Sequence, residues 1–153
     1  MVKLSTDIHA ISRQLHPSIL DDLGLTDAIE SECRNFTQRE GIRVSYVSEG
    51  IPPQLSKEIG LTIYRIIQEG LRNIAKHAET EEAHVSLIGH NNSISLIVKD
   101  AGKGFNPTDP QTKQGLGLIS MEERIRLLNG ELSIQSSIDQ GTVIEARVPL
   151  EDI

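Results

Sequence analysis

Residues 55–78, LSKEIGLTIYRIIQEGLRNIAKHA, form the longest helical pattern in the chain. Apolar residues recur in it three and four positions apart and make a broad stripe, which consists of Ile59, Ile63, Ile66, Ile67, Leu71, Ile74 and Ala78. Because this spacing places side chains on one face of an α-helix, the stretch predicts one amphipathic helix that continues to Ala78. A second layer of structure must cover so wide an apolar face.

Beyond residue 80 the apolar residues alternate with polar ones, which is typical of β-strands. The alternating residues of the first two predicted strands are Val85 and Leu87, then Ile94, Leu96 and Val98. Asn91 and Asn92 stand between these strands and are good hairpin-turn residues. A second hairpin is predicted at the end of the chain, with its turn at residues 139–141.

Upstream of the long helix, two more helices and a strand are predicted. Apolar residues spaced three and four apart indicate a helix over residues 4–16. Thr26 or Asp27 is expected to cap a second helix that ends before Gly41. The inner face of that helix would carry Ala28, Ile29, Cys33 and Phe36. The content of β-branched and aromatic residues over 42–48 predicts a strand.

Between the two hairpins lies a polar stretch rich in glycine and proline, residues 100–117, followed by an amphipathic pattern. This pattern predicts a helix that starts at Leu118 and has Gly130 as its C′ residue. Helices and strands in this order predict an α+β two-layer sandwich, with helices packed on one face of a mixed β-sheet.

Composition excludes several classes of protein. The 153 residues fit one domain, and the excess of 22 acidic over 15 basic side chains, with a net charge of -7, argues against nucleic-acid binding. No apolar run reaches the roughly 20 residues of a membrane-spanning helix, and no signal-peptide core opens the chain. Since Cys33 is the one cysteine, an internal disulfide is impossible and a cytoplasmic location is expected. No Cys/His spacing suggests zinc.

Three polar residues of the long helix are candidates for chemistry. Glu69, Asn73 and His77 are four positions apart, so they are expected to stack along one line at the border of the apolar stripe, with Lys76 nearby. A carboxylate can act as a general base, and an amide oxygen is a suitable ligand for magnesium. The same spacing is also compatible with an ordinary solvated helix face.

Three glycine-containing motifs follow. In DAGKGF, residues 100–105, Asp100 stands at the carboxyl end of a strand, and Gly102 and Gly104 allow close approach of a ligand. In QGLGL, residues 114–118, glycines at a helix start can present backbone N–H groups to an anion. Thr142, after Gly141, opens the last strand with a hydroxyl that can bond a ligand. Taken alone, DAGKGF is equally compatible with an ordinary turn, and the GxG of QGLGL is weak evidence for an anion site. Gly141 and Thr142 alone are more typical of a hairpin turn followed by a β-branched residue.

Taken in order, these motifs resemble the GHKL (Bergerat-fold) ATPase domain, and most closely that of sensor histidine kinases that serve LuxR/NarL-type response regulators. The resemblance is carried by YRIIQEGLRNIAKHA at residues 64–78, DAGKGF at residues 100–105 and GLGLISMEERIRLLNGEL at residues 115–132. LHPSILDDLGLTDAI, residues 15–29, resembles the segment that joins the dimerisation hairpin of these kinases to the catalytic domain.

The resemblance implies a role for each candidate residue. Glu69 would be catalytic and polarise the phosphate acceptor or a water, and Asn73 would ligate the Mg²⁺ that bridges the ATP phosphates. Asp100 would accept the adenine amino hydrogen, and Thr142 would support that contact through a water. The remaining cofactor-binding residues are implied to shape the pocket and its lid or to lie near the phosphates: Lys76, His77, Gly102, Gly104, Gly115, Leu116 and Gly117.

The resemblance further implies that residues 1–24 are the end of the dimerisation hairpin with its joining segment, and that residues 25–153 are the ATP-binding catalytic domain. The phosphoacceptor histidine of these kinases lies too far before the Glu69 motif to fall within this chain, and neither His9 nor His16 is expected to replace it. The partners would be the phosphoacceptor domain of a homodimeric parent protein and a LuxR/NarL-type response regulator. The parent could carry a membrane anchor, whereas this segment would not enter the membrane.

Two other functions are compatible with the same motifs. One is a stand-alone serine kinase of the same fold, such as an anti-sigma factor. The other is a non-catalytic interaction module in which ATP only orders the lid. The 15–29 segment favours the histidine kinase over the first, and the presence of Glu69 and Asn73 counts against the second.

Overall fold

The computed structural model describes residues 18–106, 108–109 and 117–150, which form helices packed on a five-stranded sheet. The helices are α1 (Ser18–Leu23), α2 (Leu25–Glu40), α3 (Lys57–Asn73), which continues into a π-helical turn (Ile74–Ala78), and α4 (Leu118–Leu127). The strands are β1 (Arg43–Glu49), β2 (Glu82–Gly89), β3 (Ser93–Asp100), β4 (Glu131–Ser137) and β5 (Gly141–Pro149). The helix predicted over residues 4–16 lies outside the described residues.

The strand order is β1-β2-β3-β5-β4, with β1 parallel to β2 and every other neighbouring pair antiparallel. Both predicted hairpins are present, β2–β3 and β4–β5. Side chains are buried at every second position of β2 and β3, and these belong to the same core as the helices. The predicted α+β sandwich with a mixed sheet is therefore confirmed.

The long helix forms the centre of the core. All seven residues of its predicted apolar stripe are buried, and Ile63, Ile66 and Ile67 are completely inaccessible. Gly70 lets this helix lie close to the sheet, because a Cβ there would be only 3.0 Å from Cγ1 of Val98 on β3. The helix starts where Ser56 accepts a hydrogen bond from the Ile59 N–H at 3.2 Å, which is an N-cap.

The inner face of α2 is as predicted, since Ala28, Ile29, Cys33 and Phe36 are all buried. Burial raises the pKa of the Cys33 thiol to about 12, with a smaller contribution from nearby glutamates, so this cysteine packs rather than reacts.

The start of α2 differs from the prediction. The residue before the first helical turn is Gly24, so neither Thr26 nor Asp27 caps the helix. The reason is the tight turn after α1: the Gly24 N–H donates to the Leu20 carbonyl at 3.0 Å, and its φ of 82° favours glycine. At the other end the helix stops before Gly41, as predicted, and Gly41 is left-handed with a φ of 75°.

The end of α4 also differs, by one residue. Asn129, and not Gly130, is the left-handed residue, with a φ of 60°. The Asn129 and Gly130 N–H groups donate to the Arg126 and Ile125 carbonyls at 3.0 and 2.9 Å, which is a Schellman motif with Asn129 at C′. Gly130 serves a different purpose, because a Cβ there would lie 2.5 Å from the carbonyl oxygen of Arg147 on β5.

Within the described part of the chain, none of the helices is both long enough and apolar enough to cross a membrane.

Candidate functional site

Three polar side chains form a row across neighbouring strands. Asp100, the last residue of β3, is paired directly with Thr142 of β5, and Thr142 is paired with Ser136 of β4. Directly opposed residues in antiparallel strands project from the same face, about 4.5–5.5 Å apart at Cβ. That face is the one packed on the helices, since Val98 and Ile144 lie on it and are buried. We call Asp100, Thr142 and Ser136 the polar row.

Asp100 is a buried carboxylate. Its exposed fraction is 5%, and its Oδ1 accepts a hydrogen bond from the Gly102 N–H at 2.8 Å. Burial raises the pKa of Asp100, and backbone hydrogen bonds from Gly102 and Thr142 oppose that rise. None of the ion pairs found among the described residues involves Asp100. A buried carboxylate that no described cation neutralises is typical of a ligand-binding group.

Gly102 and Gly104 hold the chain that leaves β3 against other backbone. A Cβ on Gly102 would overlap the Ala78 carbonyl oxygen, to which the next residue, Lys103, donates an N–H at 2.6 Å. Gly104 has a φ of 65°, and a Cβ on it would overlap the Ser137 carbonyl oxygen. These two glycines are therefore required by close contacts of the loop with the π-helical turn and β4.

The helical line expected from Glu69 to His77 is interrupted. The α-helix ends at Asn73, and the five residues that follow form a π-helical turn. In a π turn the hydrogen bonds join residues five apart, so a spacing of four no longer returns a side chain to the same line. Asn73 is half-buried at the end of α3, whereas Lys76 and His77 are exposed on the π turn. Turns of this kind occur frequently at functional sites.

Glu69 lies against the beginning of α4. Its side chain is 30% exposed, and its Oε2 is 3.7 Å from Nη1 of Arg72. A Cβ on Gly117 would overlap Glu69 Oε1 and lie 3.0 Å from its Cδ, so the absence of a side chain at Gly117 leaves room for this carboxylate. Both residues line a cavity of ≈ 240 Å³ between α3 and α4 that also has Arg65 and Arg124 in its wall.

The structure thus brings together predicted site residues that are distant in sequence. Asp100 and Thr142 are direct neighbours, Gly102 contacts the π turn, and Glu69 adjoins Gly117. Gly115 and Leu116 lie outside the described residues, so their predicted contacts with phosphate stay predictions.

Two residues of the site were missing from the prediction. Ser136 joins the polar row through hydrogen bonds to β5 and to the Phe105 backbone. Its pairing with Thr142 follows from the short turn between β4 and β5, because the turn fixes the register of the hairpin. Counting residues back from the predicted turn would therefore have identified Ser136 as the partner of Thr142. Arg72 pairs with Glu69 three residues earlier on the helix, and its spacing alone indicates that contact.

A metal at this site would need ligands from outside the protein. Among the described residues, no group of three or more His, Cys, Asp or Glu side chains could hold a metal ion. The half-buried amide of Asn73, one helical turn after Glu69, offers an oxygen ligand. One or two protein oxygens completed by water and substrate phosphates are the ligands typical of Mg²⁺, so these residues fit that ion.

Comparison with known proteins relates this chain to a family. Residues 56–152 match the family model described as "Histidine kinase-, DNA gyrase B-, and HSP90-like ATPase". The oxygen sensor histidine kinase NreB of Staphylococcus carnosus (strain TM300) is 39% identical over 152 residues, which are 99% of this chain. The chain spans 44% of the length of that relative.

Solved structures agree on the fold. The blue-light activated histidine kinase of Erythrobacter litoralis EL346 superimposes with a TM-score of 0.68 at 18% identity, over 97% of this chain and 48% of the other. Its histidine kinase domain gives a TM-score of 0.66 at 19% identity, over 82% of this chain and 61% of the other. The chain therefore belongs to the histidine kinase-, DNA gyrase B- and HSP90-like ATPase family.

Proposed function

We propose that this domain binds Mg-ATP between α3 and the carboxyl end of β3 and donates the γ-phosphoryl group to a histidine that lies outside this chain. The observation that carries the proposal is the buried carboxylate of Asp100, which has no cationic partner among the described residues. A group of this kind is stabilised when a ligand donates hydrogen bonds to it.

The base of the nucleotide would lie at the polar row. Asp100 would accept the adenine amino hydrogen, and Thr142, directly opposite it on β5, would support that contact. Gly102 and Gly104 would shape the wall beside the base, because their backbone already lies in close contact with the π turn and β4. Recognition of adenine would thus depend on hydrogen-bond acceptors at the ends of β3 and β5.

The phosphates would lie toward α3 and the start of α4. Asn73 would hold Mg²⁺ through its amide oxygen, and the chemistry that a bound Mg²⁺ supplies is neutralisation of charge on the phosphate oxygens. Gly115, Leu116 and Gly117 would present backbone N–H groups to the phosphates at the positive end of α4. Lys76 and His77, exposed on the π turn, would lie near the phosphates.

Transfer would break the bond between the γ-phosphorus and its bridging oxygen and form a bond from phosphorus to a ring nitrogen of the acceptor histidine, with ADP as the leaving group. Glu69, partly exposed beside Gly117, would polarise that acceptor. Positioning and charge neutralisation supply most of the rate enhancement in phosphoryl transfer generally.

The parent protein would supply the remaining parts. We assign residues 1–24 to the end of a dimerisation hairpin with its joining segment, and residues 25–153 to the catalytic domain. The phosphoacceptor histidine would lie on that hairpin, in a homodimeric parent. A LuxR/NarL-type response regulator would receive the phosphoryl group in the cytoplasm.

The test is phosphotransfer to a separately supplied phosphoacceptor hairpin. Glu69→Gln should bind ATP within about threefold of the unmodified chain, since a side chain that contacts only the acceptor adds little to nucleotide binding, and should lose at least about 100-fold in transfer rate. Glu58→Gln, an exposed change on the same helix, is the matched control and should transfer at the original rate.

The outcome also separates the other candidate functions. ATP binding without transfer to any hairpin would support a non-catalytic interaction module. Transfer to serine of a partner protein, with none to histidine, would support a stand-alone serine kinase. A Glu69→Gln protein that transfers as fast as the Glu58→Gln control would exclude Glu69 from the chemistry.

A further inference from the structure

The hydroxyl of Ser136 occupies the end of the polar row and contacts three other groups. Its Oγ is 2.8 Å from the Phe105 backbone nitrogen, 3.1 Å from the Gly141 carbonyl oxygen and 2.8 Å from the Thr142 Oγ1. A serine hydroxyl has one hydrogen to donate and two lone pairs that accept. These three contacts therefore use its full hydrogen-bonding capacity.

The direction of each hydrogen bond follows from the chemistry of the partners. The Phe105 N–H can only donate and the Gly141 carbonyl can only accept, so the one hydrogen of Ser136 goes to Gly141. The bond between the two hydroxyls must then be made with the hydrogen of Thr142. Only this arrangement satisfies all three contacts at once.

We propose that Ser136 is a positioning residue for nucleotide selection, because it holds the Thr142 hydroxyl as an acceptor beside the Asp100 carboxylate. With its hydrogen directed to Ser136, Thr142 offers only lone pairs to other groups. A water held between Thr142 and Asp100 would donate one hydrogen to each and would likewise turn a lone pair outward. The polar row thus presents acceptors only. This inference rests on the proposed function.

At the 6-position of the purine ring, a row of acceptors favours a substituent that donates. Adenine carries an amino group, a donor, at the position where guanine carries a carbonyl oxygen, an acceptor. With the 6-position at Asp100, as proposed above, guanine would place its carbonyl oxygen against the carboxylate, so that two acceptors would meet. Thr142 adds to the selection only while its hydrogen is committed to Ser136, since a free hydroxyl could rotate and donate to the guanine carbonyl. Ser136 thereby contributes to the preference for ATP over GTP without contacting the base.

The experiment measures ATP and GTP binding by calorimetry in the unmodified chain and in three serine variants. Ser136→Ala should lower the ratio of the GTP to the ATP dissociation constant by about five- to tenfold, the effect of one neutral hydrogen bond. Ser136→Thr keeps the hydroxyl and should restore the ratio. Ser133→Ala, an exposed serine on the same strand, is the matched control and should leave the ratio unchanged.

A double substitution tests whether Ser136 acts through Thr142. In a Thr142→Val background the hydroxyl that Ser136 orients is gone, so adding Ser136→Ala should change the ratio no further. If Ser136→Ala does not fold, Ser136→Cys retains the packing, weakens the hydrogen bonds and serves the same comparison.

The outcomes for this inference and for the proposed function are distinct. An unmodified chain that binds no ATP would overturn the proposed function itself. An unmodified chain that prefers ATP, with the same preference in the folded Ser136→Ala or Ser136→Cys variant, would overturn the role of Ser136 and leave ATP binding intact.

Discussion

Replacement of Asp100 by asparagine separates ligand binding from stability, because the two should respond in opposite directions. The substitution keeps the shape of the side chain and removes its charge. Its oxygen can still accept the Gly102 N–H, now bonded at 2.8 Å to Oδ1, and has a second lone pair for the Thr142 backbone N–H. Its second polar atom becomes an NH₂ group, which faces the adenine amino group donor to donor.

The expected loss of affinity is that of one charge-assisted hydrogen bond. Such bonds contribute about 1.5–3 kcal/mol, which corresponds to an increase of about 10- to 150-fold in the ATP dissociation constant. The upper part of this range is expected here, because Asp100 is only 5% exposed and water can replace the lost contact poorly.

Without nucleotide the fold should not lose stability. Burial raises the pKa of Asp100 above its ordinary value of 3.8, so the folded state binds a proton more tightly than the unfolded state. The contribution of this carboxyl to stability is therefore complete below pH 3.8 and decreases as the pH rises through the folded-state pKa. Asparagine does not titrate, so Asp100→Asn should be at least as stable as the unmodified chain at pH 7 and should lack this pH dependence.

Calorimetric titration with ATP and urea unfolding of the ligand-free protein measure the two effects. Asp139→Asn is the control, because Asp139 is exposed in the β4–β5 turn at a φ of 65°, where asparagine is well tolerated. Equal ATP affinity in the unmodified chain and in both variants would refute the assignment of Asp100 to the base. A marked loss of stability in Asp100→Asn would show that the carboxylate serves the fold instead.

Two further predictions concern the elements that frame the site. Gly102→Ala should lower the free energy of unfolding by about 1–3 kcal/mol and weaken ATP binding, because its Cβ would overlap the Ala78 carbonyl. Gly60→Ala, on α3 with no atom within 4 Å of its Cβ, should instead raise the free energy of unfolding by about 0.5–1 kcal/mol. Urea unfolding of the two variants measures both effects, and a change of the same sign in both would contradict the prediction. Ser56→Ala should lower the free energy of unfolding by about 1 kcal/mol, because the Ile59 N–H loses its cap. A urea unfolding curve identical to that of the unmodified chain would exclude a stabilising role for that cap.

The elements of the fold were largely predictable because their signals are local. The apolar stripe of α3 and the alternating residues of both hairpins report which face of each element is buried, and burial is the main driving force of folding. Helix ends were less predictable, since they depend on neighbours. α2 starts after Gly24 because α1 ends immediately before it. The left-handed residue after α4 is Asn129, and the next residue, Gly130, lies against the Arg147 carbonyl of β5.

The candidate site divides in the same way. Its residue types and order along the chain were visible in the sequence, including Glu69, Asp100 and Thr142, and the family follows from them. The π turn that interrupts the line from Asn73 to His77 was not visible in the sequence, because α-helical periodicity does not report a change in hydrogen-bond spacing.

What the sequence determined by itself is the set of amphipathic elements, because hydrophobic periodicity is a property of neighbouring residues. Only the tertiary structure decided which polar groups meet. Strand register aligned Ser136 and Thr142 with Asp100, and packing of α4 on α3 set Gly117 against Glu69. Such contacts join residues far apart in the chain, and their geometry depends on how whole elements pack, which no local pattern encodes.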